Sequence, residues 1–424
     1  MAVTTALHLL FLFFILFVST SISDAKLRVK PHAFHLSVRK DKATLQYYVN
    51  LDMGDPVARN PYVNFFDLVI DLGGRFLWFN CSGYDSTTYH PVRCGSKRCK
   101  IAKGTHCLNC NGPIKPGCTN NTCGVEPNNP IQQFVVSGDL AEDVICVSET
   151  DGFSSLSDID VPDIDVPHFL LGCVDPNKFG VTGLLDGLAN GTRGIVGFGR
   201  TQIAFQTQLV SAFKLPNKFA LCLPSSTETG FGDIFVGGGP YFMPPHEEYF
   251  IGVKSIKIDG KAISLNSSLL SFDKHGNGGT RLSTVTPYTV LHTSIFKALV
   301  DEFVKKAEAK KIKRVKPLGQ FGACFDPRNI ANTITGPAVP KIDLVFQNER
   351  THYRIYGANS MVKVKNNVIC LAFVDGGSEP KSSIVIGGHQ LEDTLVEFDL
   401  ASSQFGFTPS LLLHNVSCSH FRVF

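Results

Sequence analysis

Two segments of this 424-residue chain place polar side chains where a hydrophobic strand runs into a turn. In the first half, Val69-Ile-Asp-Leu-Gly-Gly-Arg-Phe-Leu-Trp78 carries one carboxylate, Asp71. In the second half, Gly278-Gly-Thr-Arg-Leu-Ser-Thr-Val-Thr-Pro-Tyr-Thr-Val-Leu291 holds hydroxyl groups and no carboxylate. A lone Asp in an Asp-x-Gly-Gly turn is expected to accept hydrogen bonds from backbone N–H groups. We therefore interpret Asp71 as a structural residue.

Each of these motifs is followed, about a hundred residues later, by a hydrophobic segment that ends in glycine. These segments are Gly194-Ile-Val-Gly-Phe-Gly199 and Ile384-Val-Ile-Gly-Gly388. The repeat predicts two similar lobes that face each other. The length agrees, because a single core rarely grows past about 250–300 residues. We place the lobes at residues 26–215 and 216–424.

The elements that would carry these motifs are mainly β-strands, because short β-branched and aromatic runs bounded by Gly, Pro, Asn or Asp dominate the chain. Examples are Thr44–Leu51, Phe65–Ile70, Val144–Val147, Phe169–Gly172, Tyr249–Ile258, Lys341–Phe346, Val368–Val374 and Leu395–Asp399. Helical periodicity is clearest over Ser294–Lys311, with a shorter helix predicted over Ala204–Ala212. The sequence therefore predicts a mainly β protein with a few short helices.

The composition excludes several classes of function. With 18% charged residues and a net charge of +3, the chain is neither disordered nor a nucleic-acid binder. After the first segment, no apolar run reaches the roughly 18 residues that a membrane span needs. The basic run Lys305–Lys316 is interpreted as the solvated face and end of a helix, with binding to a polyanion such as pectin as the alternative.

The N-terminus predicts secretion. An apolar block over residues 6–18 and small residues up to Ala25 resemble a signal peptide spanning 1–25. Five Asn-x-Ser/Thr sequons support an extracellular location. They lie at Asn80, Asn120, Asn190, Asn266 and Asn415.

The 13 cysteines are expected to be mostly paired in that compartment. Seven lie in a Gly- and Pro-rich segment over 81–123, which predicts a disulfide-stapled insertion. No flanking His pair completes a zinc site at Cys107-x-x-Cys110, so we expect no metal and no cofactor. The cysteines expected in six bridges are Cys81, Cys94, Cys99, Cys107, Cys110, Cys118, Cys123, Cys173, Cys222, Cys324, Cys370 and Cys418. The thirteenth, Cys146, lies in a predicted strand and is expected to be a buried thiol.

Taken in order, these motifs resemble the pepsin-type aspartic protease fold, and more narrowly its cysteine-rich plant branch. The resemblance covers nearly the whole mature chain, and it implies a bilobal fold with a disulfide-rich insertion in the N-terminal lobe. In such a fold, Cys324 and Cys370 are expected to form a disulfide bridge of the second lobe.

The resemblance also implies that catalysis is lost. Aspartic proteases need two carboxylates that share one proton over a water molecule. The alignment places Ser283 at the position of the second Asp, and it places Val285 where the family has Gly. The flap segment Ile131–Leu140 lacks the Tyr of the active enzymes. We therefore expect no proteolysis, with Asp71 and Ser283 as vestiges.

These substitutions resemble the non-proteolytic plant group of basic 7S globulins, extracellular dermal glycoproteins, xyloglucanase inhibitors and endoxylanase inhibitors. Xyloglucanase inhibitors place Arg in two loops, at positions that fall here on Ile334 and Asn415. Endoxylanase inhibitors place a His before the last Cys, where this chain has His414. The resemblance thus implies an inhibitor of microbial glycoside hydrolases. The alternative is an extracellular globulin or wall glycoprotein that binds a peptide or a cell-wall polysaccharide and has no enzyme target.

Overall fold

The computed structural model describes residues 31–55, 65–150, 163–179, 182–228, 230–237, 249–273, 277–346 and 351–420. The predicted signal peptide lies outside these residues. Within them, His32–Phe424 forms one compact unit. No helix in the described part of the chain is long and apolar enough to cross a membrane.

Short strands form most of the regular structure, which confirms the mainly β prediction. In chain order they are β1 Ala33–Lys40, β2 Tyr47–Met53, β3 Phe65–Asp71, β4 Trp78–Asn80, β5 His90–Pro91, β6 His106–Leu108, β7 Thr122–Val125, β8 Asn128–Asn129, β9 Phe134–Val135, β10 Gly138–Thr150, β11 Asp163–Val174, β12 Gly194–Gly197, β13 Lys218–Cys222, β14 Gly232–Val236, β15 Phe250–Ile251, β16 Ser255–Ile258, β17 Lys261–Ala262, β18 Thr280–Leu282, β19 Thr289–Leu291, β20 Arg314–Val315, β21 Cys324–Phe325, β22 Asn332–Thr333, β23 Gly336–Pro337, β24 Ile342–Val345, β25 His352–Ile355, β26 Met361–Val364, β27 Val368–Leu371, β28 Phe373–Asp375, β29 Ile384–Ile386, β30 Leu395–Asp399 and β31 Gln404–Phe407.

The helices of the described residues are short, apart from one. They are α1 Lys97–Ile101, α2 Pro176–Phe179, α3 Phe205–Phe213, α4 Thr293–Ala309, α5 Gly357–Ser360 and α6 Gly388–Leu391. Helix α4 begins where the His292 side chain accepts the Ser294 N–H, and it buries an apolar stripe that includes Leu299 and Phe303. It matches the predicted helix to within two residues at each end. Single 3-10 turns cover Ser267–Leu270, Pro327–Asn329, Lys365–Asn367, Leu411–His414 and Cys418–His420.

The internal repeat appears in the structure as two sets of four strands with the same order and orientation. One set runs β3-β12-β4-β11 and the other runs β18-β29-β19-β28. In both, the first pair and the last pair are parallel and the middle pair is antiparallel. The registers also correspond: Ile70 pairs with Val196 as Leu282 pairs with Ile386. Asp71 and Ser283 therefore follow equivalent strands, as the motif spacing predicted.

A large sheet joins the two halves of the chain. Its order is β31-β30-β13-β14-β1-β2-β3-β12-β4-β11-β10-β7-β6, with β5 on β10. Strand β1, from the first half, pairs antiparallel with β14, and β13 pairs with β30 near the C-terminus. Strands from both sides of residue 215 thus share one sheet, and the lobe boundary at 215/216 stays a prediction.

Two predicted strands are each interrupted in the structure, and the predicted strands Val144–Val147 and Phe169–Gly172 are parts of the longer β10 and β11. The run Tyr249–Ile258 is divided into β15, which pairs with β18, and β16, which pairs with β24 in another sheet. The run Val368–Val374 is interrupted at Ala372, because the Ala372 N–H donates to the carbonyl of Ser360 instead of to a strand. In both places the chain changes hydrogen-bond partner within a run of β-branched and aromatic residues that reads as one strand.

All 13 cysteines lie within the described residues. Four disulfides fall in or near the N-terminal insertion, and two lie in the second half. The bridges are Cys81–Cys173, Cys94–Cys107, Cys99–Cys123, Cys110–Cys118, Cys222–Cys418 and Cys324–Cys370. Cys146 stands outside these bridges and is buried in β10.

Candidate functional site

The Asp71 turn is held by backbone hydrogen bonds. Asp71 is 7% exposed, and its Oδ1 accepts the Gly73 N–H at 2.8 Å. Its carbonyl accepts the N–H of Gly74 at 3.1 Å and that of Phe198 at 2.8 Å. The carboxylate therefore caps its own turn, as an Asx turn does.

Glycine is required where β12 passes this turn. A Cβ on Gly74 would lie 2.7 Å from the Cα of Gly197, and one on Gly197 would lie 2.5 Å from the Gly74 carbonyl oxygen. These distances leave no room for a side chain, because the two backbones touch. Gly74 of the turn and Gly197, which ends β12, thus have a steric cause.

The second turn contains a hydroxyl where the first has a carboxylate. Ser283 is 1% exposed, its Oγ–H donates to Thr286 Oγ1 at 3.0 Å, and its Oγ accepts the Thr286 N–H at 3.2 Å. Both bonds remain within the turn. A neutral hydroxyl held in this way cannot share a proton with Asp71 as a second carboxylate would.

Val285 brings apolar bulk to the same place. It is 5% exposed and belongs to the apolar cluster that contains Val69, Trp78 and Ile195 of the first half. Its side chain therefore packs against strands β3, β4 and β12. A site that activates water needs space and polar groups, and this position offers neither.

Thr284 bridges the two turns. Its hydroxyl donates to the carbonyl of Ile70 at 2.6 Å and accepts the N–H of Leu72 at 3.3 Å. Leu72 occupies the equivalent position in the first turn. It has no hydroxyl, so it cannot form the corresponding hydrogen bonds to the second turn. The two turns are thus joined through Thr284, which is fully buried. Sequence reasoning missed this role, although the aligned pair Leu72 and Thr284 was visible.

A buried ionic cluster, the Glu392 cluster, forms around the residue that ends α6. Glu392 Oε1 accepts hydrogen bonds from Lys40 Nζ and Tyr47 Oη, both at 2.6 Å, and Oε2 lies 3.1 Å from His389 Nδ1. Burial would raise the pKa of Glu392, but the charges and hydrogen bonds of His389 and Lys40 outweigh it and lower that pKa. Burial and Glu392 raise the pKa of Tyr47 well above its usual value. A cavity of about 240 Å³ opens beside this cluster.

Both predicted inhibitory segments lie on the surface of the second half. Ile334 is 58% exposed at the tip of the β22–β23 hairpin. His414 is exposed at the end of the 3-10 turn Leu411–His414, beside Leu413, which is 38% exposed. Asn415 is exposed and ends this turn with a left-handed φ of 57°, a conformation that Asn tolerates well. The structure thus gives a backbone reason for Asn at this position.

Hydrogen bonds connect the Ile334 hairpin and the His414 turn to one set of residues, the support, which consists of α5, α6 and the residues around Glu392. The Ala358 N–H of α5 donates to the Thr335 carbonyl in the hairpin at 2.8 Å. Asn359 Nδ2 donates to the carbonyls of His389 and Glu392, at 3.0 and 2.9 Å.

The support continues through the residue after Glu392. The Asp393 carbonyl accepts the Leu411 N–H at 2.8 Å, and its Oδ1 accepts the Cys418 N–H at 2.9 Å. The C-terminal turn is further held by the disulfide between Cys222 and Cys418. The hairpin and the turn therefore rest on α5, α6 and the Glu392 cluster. None of this was visible in the sequence, because Lys40 and Glu392 are 352 residues apart.

The flap segment forms a short hairpin. Strands β8 and β9 pair through Asn128–Val135 and Asn129–Phe134, and the tip residue Ile131 is 38% exposed. Asn129 holds the tip: its Oδ1 accepts the Ile131 N–H, and its Nδ2 donates to the Leu184 carbonyl. The tip therefore presents Ile131 together with the polar side chains of Gln132 and Gln133.

The described residues contain no group of three or more His, Cys, Asp or Glu side chains arranged to hold a metal ion. Four sequon asparagines are exposed: Asn120, Asn190, Asn266 and Asn415. Asn80 is half-buried, and its Oδ1 accepts the Ser82 N–H.

Comparison with known families agrees with this geometry. The family described as "Xylanase inhibitor N-terminal" matches residues 47–238, and the one described as "Xylanase inhibitor C-terminal" matches residues 248–409. This chain belongs to the xylanase-inhibitor family of pepsin-like proteins. The first match extends past the predicted lobe boundary at 215/216, which stays a prediction.

Individual relatives of this xylanase-inhibitor family member are similar over nearly their whole length. A "Probable aspartic proteinase GIP2" of Nicotiana benthamiana is 43% identical, over 100% of this chain and 99% of the relative. A "Gamma conglutin 1" of Prunus dulcis is 40% identical, over 98% and 97%. The crystal structure of edgp has a TM-score of 0.85 and 44% identity, covering 92% of this chain and 98% of that chain. The structure of basic 7S globulin from soybean has a TM-score of 0.77 and 31% identity, covering 93% and 98%. The pepsin-like fold is thereby confirmed.

Proposed function

We propose that this protein is a secreted, catalytically inactive pepsin-like protein that binds and inhibits a microbial cell-wall-degrading glycoside hydrolase, either a xyloglucanase or endoglucanase or a xylanase. The observation that carries the proposal is the pair of exposed segments around Ile334 and His414, which rest on one hydrogen-bonded support. Pre-organised loops lose little conformational entropy on binding, which favours tight association.

Inactivity is supported by the two turns. Asp71 caps its own backbone, Ser283 is bonded to Thr286, and Val285 packs into an apolar cluster. With Ser283 at the second position, the turns do not offer two carboxylates that could act as general base and general acid of this reaction. The scaffold is retained and the hydrolytic site is lost.

The exposed segments suit a carbohydrate-cleaving cleft, which is lined by two catalytic carboxyl groups. The imidazole of His414 can donate a hydrogen bond to one of them. Ile334 and Leu413 supply apolar contact of the kind that excludes water around such a bond. The arginines of xyloglucanase inhibitors are missing at both aligned positions, so the tip chemistry favours the xylanase class over the xyloglucanase class.

The test is a titration of the protein against fungal, oomycete and bacterial xylanases, endoglucanases and xyloglucanases, with residual activity measured at pH 5. One enzyme should lose its activity at a one-to-one ratio. The variants Ile334→Asp and His414→Ala should weaken that inhibition at least tenfold, by roughly 1.4 kcal/mol or more. Ile114→Asp and His90→Ala are matched controls, because both residues are exposed on the distant N-terminal half.

A second candidate function is an extracellular globulin or wall glycoprotein without an enzyme target, which binds a peptide. The relatives named gamma conglutin and basic 7S globulin favour it. Absence of inhibition across the whole panel, with folded protein, would support this second function and contradict the first.

Secretion and N-glycosylation belong to the same proposal. Treatment of the protein secreted by plant cells with a peptide N-glycosidase should lower its mass by one to four glycans, because four sequon asparagines are exposed. Asn80 should carry none, since it is half-buried and precedes a disulfide-bonded Cys81. An unglycosylated, intracellular protein would contradict this part.

A further inference from the structure

A cationic cavity lies on the N-terminal half, and neither Asp71 nor Ser283 lines it. Its volume is about 590 Å³, within the range of small-molecule sites. Three segments line it: the turn after β3, the end of α1 and the loop after β12. Its charged lining residues are Arg75, Lys100, Lys103 and Arg200, and no Asp or Glu of the described residues lines it.

The walls of this cavity are firmly connected. Helix α1 is tied to β7 by the disulfide Cys99–Cys123. The hydroxyl of Thr201 donates to the Arg75 carbonyl, which joins the first and third segments. Arg200 Nη2 donates to Ser403 Oγ at 3.1 Å. The four cationic residues therefore line a pre-formed space.

Part of the backbone of the lining segments is already used. The N–H groups of Ala102 and Lys103 donate to the carbonyls of Arg98 and Lys100. The side chains of the lining offer the groups that a ligand would contact: cations, the exposed amide of Gln202 and an apolar floor that includes Phe76.

We propose that this cavity binds a short oligosaccharide of uronic acids. Each sugar ring of such a ligand carries one carboxylate, which pairs with Arg or Lys. The ring hydroxyls match the Gln202 amide, and the C–H faces match the apolar floor. An acidic peptide carries the same charge but offers neither hydroxyls nor rings. The site is independent of the proposed inhibitory segments and would fix the protein to acidic polysaccharide while those segments face an enzyme.

The test is calorimetric titration of the full mature protein with tetragalacturonate at low and at physiological ionic strength. Binding should be detectable at low ionic strength and weaker at the higher one, because the contacts are ionic. The double variant Lys100→Gln, Lys103→Gln should bind tetragalacturonate more weakly than the wild type, by about tenfold or more. Both lysines are exposed, so circular dichroism should show an unchanged fold.

The matched control is Lys305→Gln, Lys311→Gln. Lys305, like Lys100, is an exposed helical lysine, and Lys311, with φ 58°, matches Lys103, with φ 55°. This variant should bind within twofold of the wild type. An equal loss of affinity in the control variant would contradict binding in the cavity, because it would show a general attraction of the ligand to basic surface. Absence of tetragalacturonate binding by the wild type would also contradict the proposal. Binding of tetraglutamate as tight as that of tetragalacturonate would replace the saccharide with an acidic peptide.

Discussion

The exchange Glu392→Gln removes the charge from the carboxylate beneath both exposed segments. The side chains of Lys40 and Glu392 are 7% and 3% exposed, so water screens neither of them. Breaking a buried ion pair by neutralising one partner costs about 3–5 kcal/mol. Gln can still accept the Tyr47 hydroxyl, which places the expected loss at about 3 kcal/mol of the free energy of unfolding. This corresponds to roughly a hundredfold change in the unfolding equilibrium.

The assay is urea unfolding followed by circular dichroism, at pH 7 and at steps down to pH 3. The folded-state pKa of Glu392 is lowered from its ordinary value of 4.5. A depressed carboxyl pKa contributes stability above the unfolded-state value, and this contribution is lost as pH falls through the folded-state value. The gap between the wild type and Glu392→Gln should therefore be full at pH 7 and shrink below pH 4.5.

Two controls define the outcome. Glu228→Gln removes the same chemistry from the exposed pair Lys42–Glu228 and should leave stability unchanged. Combining Glu392→Gln with Lys40→Met should cost less than the two single changes added together, because each alone leaves a buried charge without its partner. A loss below about 1 kcal/mol for Glu392→Gln, or additive changes, would refute the reasoning.

Three further predictions follow from single residues. Thr284→Val should lower the free energy of unfolding by about 2–4 kcal/mol, because it leaves the buried Ile70 carbonyl and Leu72 N–H without a partner; a thermal melt equal to the wild type would contradict this. Alkylation in denaturant without reductant should label one thiol, Cys146, and two labels in the mass spectrum would show that a bridge is missing. Ile334→Arg should create or strengthen inhibition of an endoglucanase, since Arg pairs with carboxylates in a fork; unchanged inhibition constants would remove the hairpin from the interface.

The sequence was sufficient for what local patterns determine. The repeat around Asp71 and the segment ending at Ser283 predicted two equivalent strand-and-turn units, and the structure shows them in the same register. Apolar alternation in β2, where Tyr47, Val49, Leu51 and Met53 are buried, and the stripe of α4 depend on residues close in sequence. Such patterns can be read without knowledge of the fold.

Contacts between distant segments could not be read in this way. The pairing of β1 with β14 and the bond of Lys40 to Glu392 join residues about two hundred or more apart, and no local pattern encodes them. The break between β15 and β16 was missed because both segments have strand-forming residues and pair with different sheets. The common support of the Ile334 and His414 segments depends on such contacts, so it required the structure.

The central claim is that these two segments form the binding surface for a glycoside hydrolase. Hydrogen exchange of backbone amides, compared between the protein alone and its one-to-one complex with an inhibited enzyme, tests it most directly. The account predicts new protection over 331–338 and 410–417, with the Asp71 and Ser283 turns unchanged. Protection confined to the N-terminal half, or a complex that leaves both segments exchanging as before, would contradict it.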